Sequence, residues 1–348
     1  TVVDDLVAEE VRAVRERVGI MDVTAFTKVL VEGPEAYALL DRLTANRMPQ
    51  KTGSITLTHM LNRRGRIELE TTIVRMAENR FYLVCAAFFE QRLLDHLAAH
   101  RDGADVTVTA LSDSWGALAL NGPRARDVLA ACTSARLDNA AFRWLSAQRI
   151  ELAGHEVWAL RMSYAGELGW ELHMPFAAMA DVYTALTAAG APHGLTDYGS
   201  FAMNVMRMEK GFKGAGELTN EVTLAEADVL RFARDDKDYL GRDLTLNTDL
   251  PWICAYLEIE PDGQIDGHGG EAVMRDGKVV GSTASVAYGH TVGKILAFAY
   301  LKPDAAEPGN ALEVIIHGTP RAARVLGEPA YDPQSLKPRT DTVLEPAQ

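Results

Sequence analysis

The sequence predicts an α+β protein that ends in an all-β unit. Three observations predict it: strand and helix signals alternate through about the first 250 residues, the texture turns to short strands from Pro251, and 348 residues exceed one ordinary core. Two or three packed units are therefore expected.

Leu6 to Val18 carries apolar residues at helical intervals and stops at Gly19, which predicts an amphipathic helix. A strand follows. Lys28 to Val31 then runs into Gly33-Pro34, where proline suits the first turn of a helix from Glu35 to Thr44. The same design recurs at Trp115 to Leu120, Gly122-Pro123 and a helix to Thr133, and both copies have Thr eleven residues after the Gly. A strand-to-helix turn used twice explains this weak repeat without internal duplication.

Between the copies, Leu57 to Val74, Phe81 to Cys85, a helix over Phe88 to His100, and Val106 to Ala110 alternate strand and helix signals. Strands are expected near Glu156 to Arg161 and Gly169 to His173, with helices over Phe176 to Ala188 and Tyr198 to Phe212. Beyond Pro251 the strand signals are Ile253 to Ile259, Glu271 to Met274, Lys278 to Val286, Lys294 to Tyr300 and Leu312 to Ile316, with Asp276-Gly277 as a hairpin turn. A small antiparallel β-barrel or jelly roll is the expected form.

With 47% hydrophobic and 24% charged residues, disorder is expected only at the ends, Ser335 to Gln348 above all. A formal charge of -13 with no basic stripe excludes a nucleic-acid binder. Cys85, Cys132 and Cys254 stand in apolar surroundings at unrelated spacings, as free thiols in a reducing, cytoplasmic setting would. No stretch approaches the roughly 20 apolar residues of a membrane span, so no membrane partner is expected. The start at Thr1 points to trimming or to a piece of a longer polypeptide.

Most cofactor signatures fail on inspection. Gly214-Ala-Gly216 follows a helix and lacks the third glycine of a dinucleotide loop. His96 and His100 lie one helical turn apart without a third ligand, and read as solvated surface histidines rather than a metal site. Ser163 lacks a nucleophile elbow, and His59 and His290 are either general bases or walls of a cleft.

Two acidic clusters carry more. Glu68 and Glu70 share one face of a strand by period two, and Glu171 follows a turn beside aromatics in Tyr164-Ala-Gly-Glu-Leu-Gly-Trp170-Glu171. An exposed strand face remains the plainer reading of each.

Five blocks in order, Val18 to Thr24, His59-Met-Leu-Asn62 with Gly65-Arg-Ile-Glu68, Ser163 to Leu172, Met206 to Gly211 and Ala287 to Thr291, span nearly the whole chain. Together they resemble the folate-binding half of dimethylglycine and sarcosine dehydrogenases and, more distantly, the glycine-cleavage aminomethyltransferase. The resemblance implies an α+β three-domain cloverleaf of the aminomethyltransferase type with tetrahydrofolate in a central channel. Its domains would be 1–50 plus 140–248, an insertion over 51–139, and a C-terminal antiparallel β-barrel or jelly roll over 249–348.

The resemblance also implies roles. Glu171 would receive the pterin edge, Tyr164 would line its pocket, and Glu70 would face the folate nitrogens as the catalytic carboxylate. Trp170, Leu57 and Tyr288 join the folate-binding set. Arg207 either meets a carboxylate tail or makes a structural salt bridge to Glu209 or Glu35.

A pterin presents an amide N–H beside an exocyclic amine, which one carboxylate accepts as a bidentate fork. The aminomethyltransferase has Asp in place of Glu70 and Tyr in place of Leu57. After Lys213 the family has an aromatic and then Gly where this chain has small residues, which implies a wider channel or a different substrate.

Neither a flavin domain nor a metal site is expected in this chain, so the resemblance implies that a flavoprotein or other demethylating partner delivers the carbon. The implied activity is capture of formaldehyde, or of an iminium from a methylated amine, to form 5,10-methylenetetrahydrofolate. Direct methyl transfer giving 5-methyltetrahydrofolate, and a non-catalytic folate-binding scaffold, are the alternatives.

Overall fold

A computed structural model describes residues 2–261, 267–339 and 341. Two sheets and a barrel organise them. The first sheet runs in the order Thr196–Asp197, Gly19–Asp22, Trp115–Asn121, Gly169–Pro175, His155–Leu160, Ala147–Leu152; only the outermost pair, Thr196–Asp197 with Gly19–Asp22, is parallel. The second is wholly antiparallel, in the order Ile55–Leu61, Ile67–Ala77, Arg80–Cys85, Thr27–Glu32, Thr107–Ala110. Beyond Pro251 six antiparallel strands close on themselves, so the expected all-β unit is a barrel.

Strand membership follows a different division from the expected 1–50 plus 140–248 and 51–139. The strand Thr27–Glu32 pairs with Arg80–Cys85, whereas Trp115–Asn121 returns to the first sheet beside Gly19–Asp22 and Gly169–Pro175. Trp115–Asn121 has to be central: all but one of its residues are buried, which only a strand covered on both faces achieves. By strand membership the second sheet therefore spans 27–110.

The two Gly-Pro turns share one geometry. Gly33 and Gly122 have φ of 135° and 129°, and each precedes an eight-residue helix, Ala36–Leu43 or Ala125–Cys132. A Cβ would stand 2.3 Å from the Asp105 carbonyl at Gly33 and 2.6 Å from the Arg17 carbonyl at Gly122, so close packing as well as φ demands glycine.

Each sheet covers its own core. Ile20, Leu120, Trp170 and Leu172 lead the first, and Val29, Leu69, Phe81 and Leu83 the second. A further apolar cluster joins the sheets, with Leu30, Val74, Tyr82 and Val84 against Ala147 and Leu160. A fourth packs the helices Val2–Glu16 and Ser200–Glu209 on the barrel strands through Val14, Met206 and Phe298.

Besides the two-residue Thr196–Asp197, two longer strands escaped the sequence reading, Ala147–Leu152 and Thr319–Leu326. The second alternates buried and exposed residues but opens Thr-Pro-Arg, a turn-like start. The tail also differs from expectation: Arg161 donates to the Pro338 carbonyl and Asn139 to that of Arg339, so its first residues are docked. Residues 342–348 lie outside the described set.

Candidate functional site

Sheet register builds the floor of a cavity. Met21 pairs with Ala119 and Ala119 with Glu171, so three side chains stand in a row on one face. The methyl of Ala119 between two longer side chains leaves a hollow, and all three line a cavity of about 270 Å³. Asn121, one pleat along, joins them.

The wall is a helical stripe. Ser200, Met203, Asn204 and Arg207 follow i, i+3, i+4, i+7 spacing on the helix Ser200–Glu209, which turns all four to the cavity. Ser163-Tyr164 and Gly214-Ala215 complete the rim. Asn121 Oδ1 and Ser163 Oγ, on two of the lining residues, are buried without a hydrogen-bond partner among the described residues. Buried polar atoms rarely stay unpaired, which sets these two apart among the polar groups of the lining residues.

Glu171 is held from the side. His173 Nε2 lies 3.3 Å from its Oε2, and His173 Nδ1 lies 3.0 Å from the Tyr82 hydroxyl. Among the described residues no other protein group bonds the Glu171 carboxylate.

Glu70 faces His59 directly across its hairpin, with Nε2 to Oε1 at 3.3 Å. That approach lies within ion-pair reach but off the hydrogen-bond line, so both nitrogens of this fully buried ring stay unsatisfied. Asn62 and Arg92 engage Glu68 instead.

Tyr164 lines the cavity with Glu171 and feels the charge of Glu70. Burial pushes its phenol up, Arg207 pulls it down, and the charges of Glu70 and Glu217 push it up further. Its ring stacks on Phe212 at 6.0 Å, and its hydroxyl donates to the Lys213 carbonyl.

Of the residues singled out in the sequence, Glu171, Tyr164 and Arg207 line the cavity, whereas Glu70, Leu57, Trp170 and Tyr288 do not. Trp170 is a correction: period two turns it to the opposite face from Glu171, into the core against Phe142. Leu57 sits half-buried on the Glu70 hairpin opposite Thr72, and Tyr288 packs beside His290 on the barrel.

Arg207 pairs with neither Glu209 nor Glu35. Its Nη1 meets Glu217 at 3.0 Å in a buried ion pair and donates to the Phe212 carbonyl, while Nε holds Asn204. Glu209 serves Arg15 instead, and Glu35 accepts from the Asp105 amide. Arg207 therefore braces the wall, since its charge is already matched.

His96 corrects another expectation. Its ring is buried, and burial together with His100 pushes it down to about 4. Burial likewise raises Cys85 and Cys254 to about 12, which fits inert thiols.

Sequence reading missed Asn121, Asn204, His173 and Tyr82. His173 was within reach, being two residues from Glu171 on the same strand face; Asn121 and Tyr82 arrive only through strand pairing and sheet docking.

Residues 1–237 match the GCVT N-terminal domain, and 254–332 the glycine cleavage T-protein C-terminal barrel domain. The chain is 34% identical to the mitochondrial dimethylglycine dehydrogenase of Mus musculus over 93% of its length, covering 38% of that enzyme. It is 33% identical to the 4-methylaminobutanoate oxidase (formaldehyde-forming) of Paenarthrobacter nicotinovorans, over 96% of this chain and 41% of the oxidase. It thus spans about two fifths of these relatives.

An aminomethyltransferase of Saccharopolyspora erythraea is 31% identical over 93% of this chain and 89% of its own. The glycine cleavage system aminomethyltransferase T from Bartonella henselae shares the fold, with a TM-score of 0.84 at 22% identity over 94% of this chain and 90% of that one.

Proposed function

Since the chain belongs to the glycine-cleavage T-protein family, we propose that it transfers a one-carbon unit to tetrahydrofolate, capturing formaldehyde or an amine-derived iminium to form 5,10-methylenetetrahydrofolate. The observation that supports this reading is Glu171, an acid with a single protein partner among the described residues, on the floor of a pocket lined also by Asn121, Ser163 and Tyr164.

Glu171 receives the amide N–H and exocyclic amine of the pterin, and both contacts are charge-assisted. Asn121 Oδ1 accepts a further donor, and Tyr164 walls the ring. The folate supplies two nucleophilic nitrogens. Glu70 accepts the proton that the attacking nitrogen loses once its lone pair has bonded to the donor carbon. When the second nitrogen closes the ring, the formaldehyde oxygen leaves as water, or the iminium nitrogen as the free amine. Most of the acceleration is positional, because formaldehyde and tetrahydrofolate also react unaided.

The formaldehyde-forming oxidase among the relatives supports that donor. Because the chain spans only 38% of the dehydrogenase, we assign amine oxidation to a separate flavoprotein unit.

Incubating the chain with tetrahydrofolate and formaldehyde, and in parallel with methylated amines, tests the product by mass spectrometry. Methylenetetrahydrofolate formed faster than in protein-free controls is expected. Formation of 5-methyltetrahydrofolate from a methyl donor, with no acceleration by formaldehyde, would overturn it.

A further inference from the structure

We propose that His173 and Tyr82 form a positioning relay that fixes Glu171 as a hydrogen-bond acceptor across the junction of the two sheets. The proposal rests on the reading that Glu171 holds the pterin edge. Three side chains stand in line: Tyr82 Oη to His173 Nδ1 at 3.0 Å, and His173 Nε2 to Glu171 Oε2 at 3.3 Å. Tyr82 belongs to the second sheet, His173 and Glu171 to the first.

Hydrogen positions along the line follow from chemistry. Burial, and then the charge of Glu171, hold the Tyr82 phenol well above its ordinary value, so it remains an O–H donor. A neutral imidazole has one donor nitrogen and one acceptor. An ionised carboxylate only accepts, so Nε2 carries the proton that faces Glu171, and in the neutral ring Nδ1 then accepts from the Tyr82 O–H.

Every donor in the row therefore points toward Glu171, whose own role is only to accept. A pterin edge that offers two N–H groups needs that polarity. If Nδ1 carried the proton instead, the Nε2 lone pair would face the carboxylate and drive it aside.

The surroundings make the relay stiff. His173 is 1% exposed, and Tyr82 is fully buried with its ring edge-on to the imidazole at 5.5 Å. Tyr82 also sits in the apolar cluster between the sheets, with Leu30, Ala147 and Leu160. Docking of the second sheet thereby reaches the ligand-facing acid through two hydrogen bonds. His173 and Tyr82 do not line the cavity, so they act through Glu171 rather than on the ligand.

A double-mutant cycle read by calorimetric titration of the full chain with 5-formyltetrahydrofolate tests this. His173→Met should weaken binding about ten-fold, the size of one hydrogen bond to a charged group. Tyr82→Phe should weaken it less, by about three-fold, because it only releases the tautomer. His173→Gln, which offers an N–H to Glu171 and an oxygen to Tyr82, should restore most of the affinity.

In a Glu171→Ala background, titrated to millimolar ligand, His173→Met should add less than about two-fold. A structural role alone would subtract the same factor in both backgrounds, and that result overturns the relay; so does unchanged binding in His173→Met. Should His173→Met fail to fold, Tyr82→Phe closes the cycle. If Glu171→Ala binds like the unaltered chain, or the unaltered chain does not bind, the folate reading itself falls and the relay with it.

Discussion

Glu171 and Glu70 stand on different sheets, each beside a buried histidine, and the two histidines are held in opposite ways. His173 has a partner on both nitrogens, whereas His59 is fully buried with neither nitrogen in a formed hydrogen bond. A satisfied neighbour fixes the orientation and charge of its carboxylate, which recognition requires. Glu70 approaches the His59 ring at 3.3 Å without a formed hydrogen bond, so its oxygens keep their capacity to accept from a ligand. On the proposed function, the first pair serves binding and the second chemistry.

The assignment can be broken most readily at Glu70. Glu70→Gln should slow methylenetetrahydrofolate formation by about a hundred-fold or more, the usual reach of general acid–base catalysis, while affinity for 5-formyltetrahydrofolate stays within about two-fold. Equal losses in rate and affinity would erase the division of labour.

A third buried histidine, His96, has no carboxylate and sharpens the comparison through stability. Its folded value is about 4 against about 6.5 in the unfolded chain, so below pH 6.5 the unfolded chain binds a proton that the folded one does not. Stability should fall as pH drops from about 6.5 to 4, by at most about 3 kcal/mol, with no further loss from this group below that. Denaturant melts of the unaltered chain and His96→Gln across that range should diverge; parallel slopes would mean that the ring protonates without cost.

The smallest effect on binding is expected at Trp170. Trp170→Phe should cost stability through the core, by about 1–3 kcal/mol, yet leave folate affinity within about two-fold. A large affinity loss would put the indole at the ligand after all.

These residues also show how far the sequence could be read. Alternation along Gly169–Pro175 reaches Glu171 and, applied consistently, turns Trp170 to the core and His173 to the site. The helical stripe from Ser200 to Arg207 is equally local.

Ala119 and Asn121 were not legible as floor residues, because their place depends on which strands flank Trp115–Asn121. The same return of that strand to the first sheet is what separates the sheet division from the expected domain bounds. The Arg207 partner was hidden for a related reason: Glu217 lies ten residues on, across irregular chain that no periodicity describes.

A crystal structure with 5-formyltetrahydrofolate bound tests the central claim most directly. The account predicts the pterin's ring N–H and exocyclic amine on the Glu171 carboxylate at about 2.7–2.9 Å, with the His173 contact retained. A pterin bound elsewhere, or lying in this cavity with its amide edge turned away from Glu171, would contradict it.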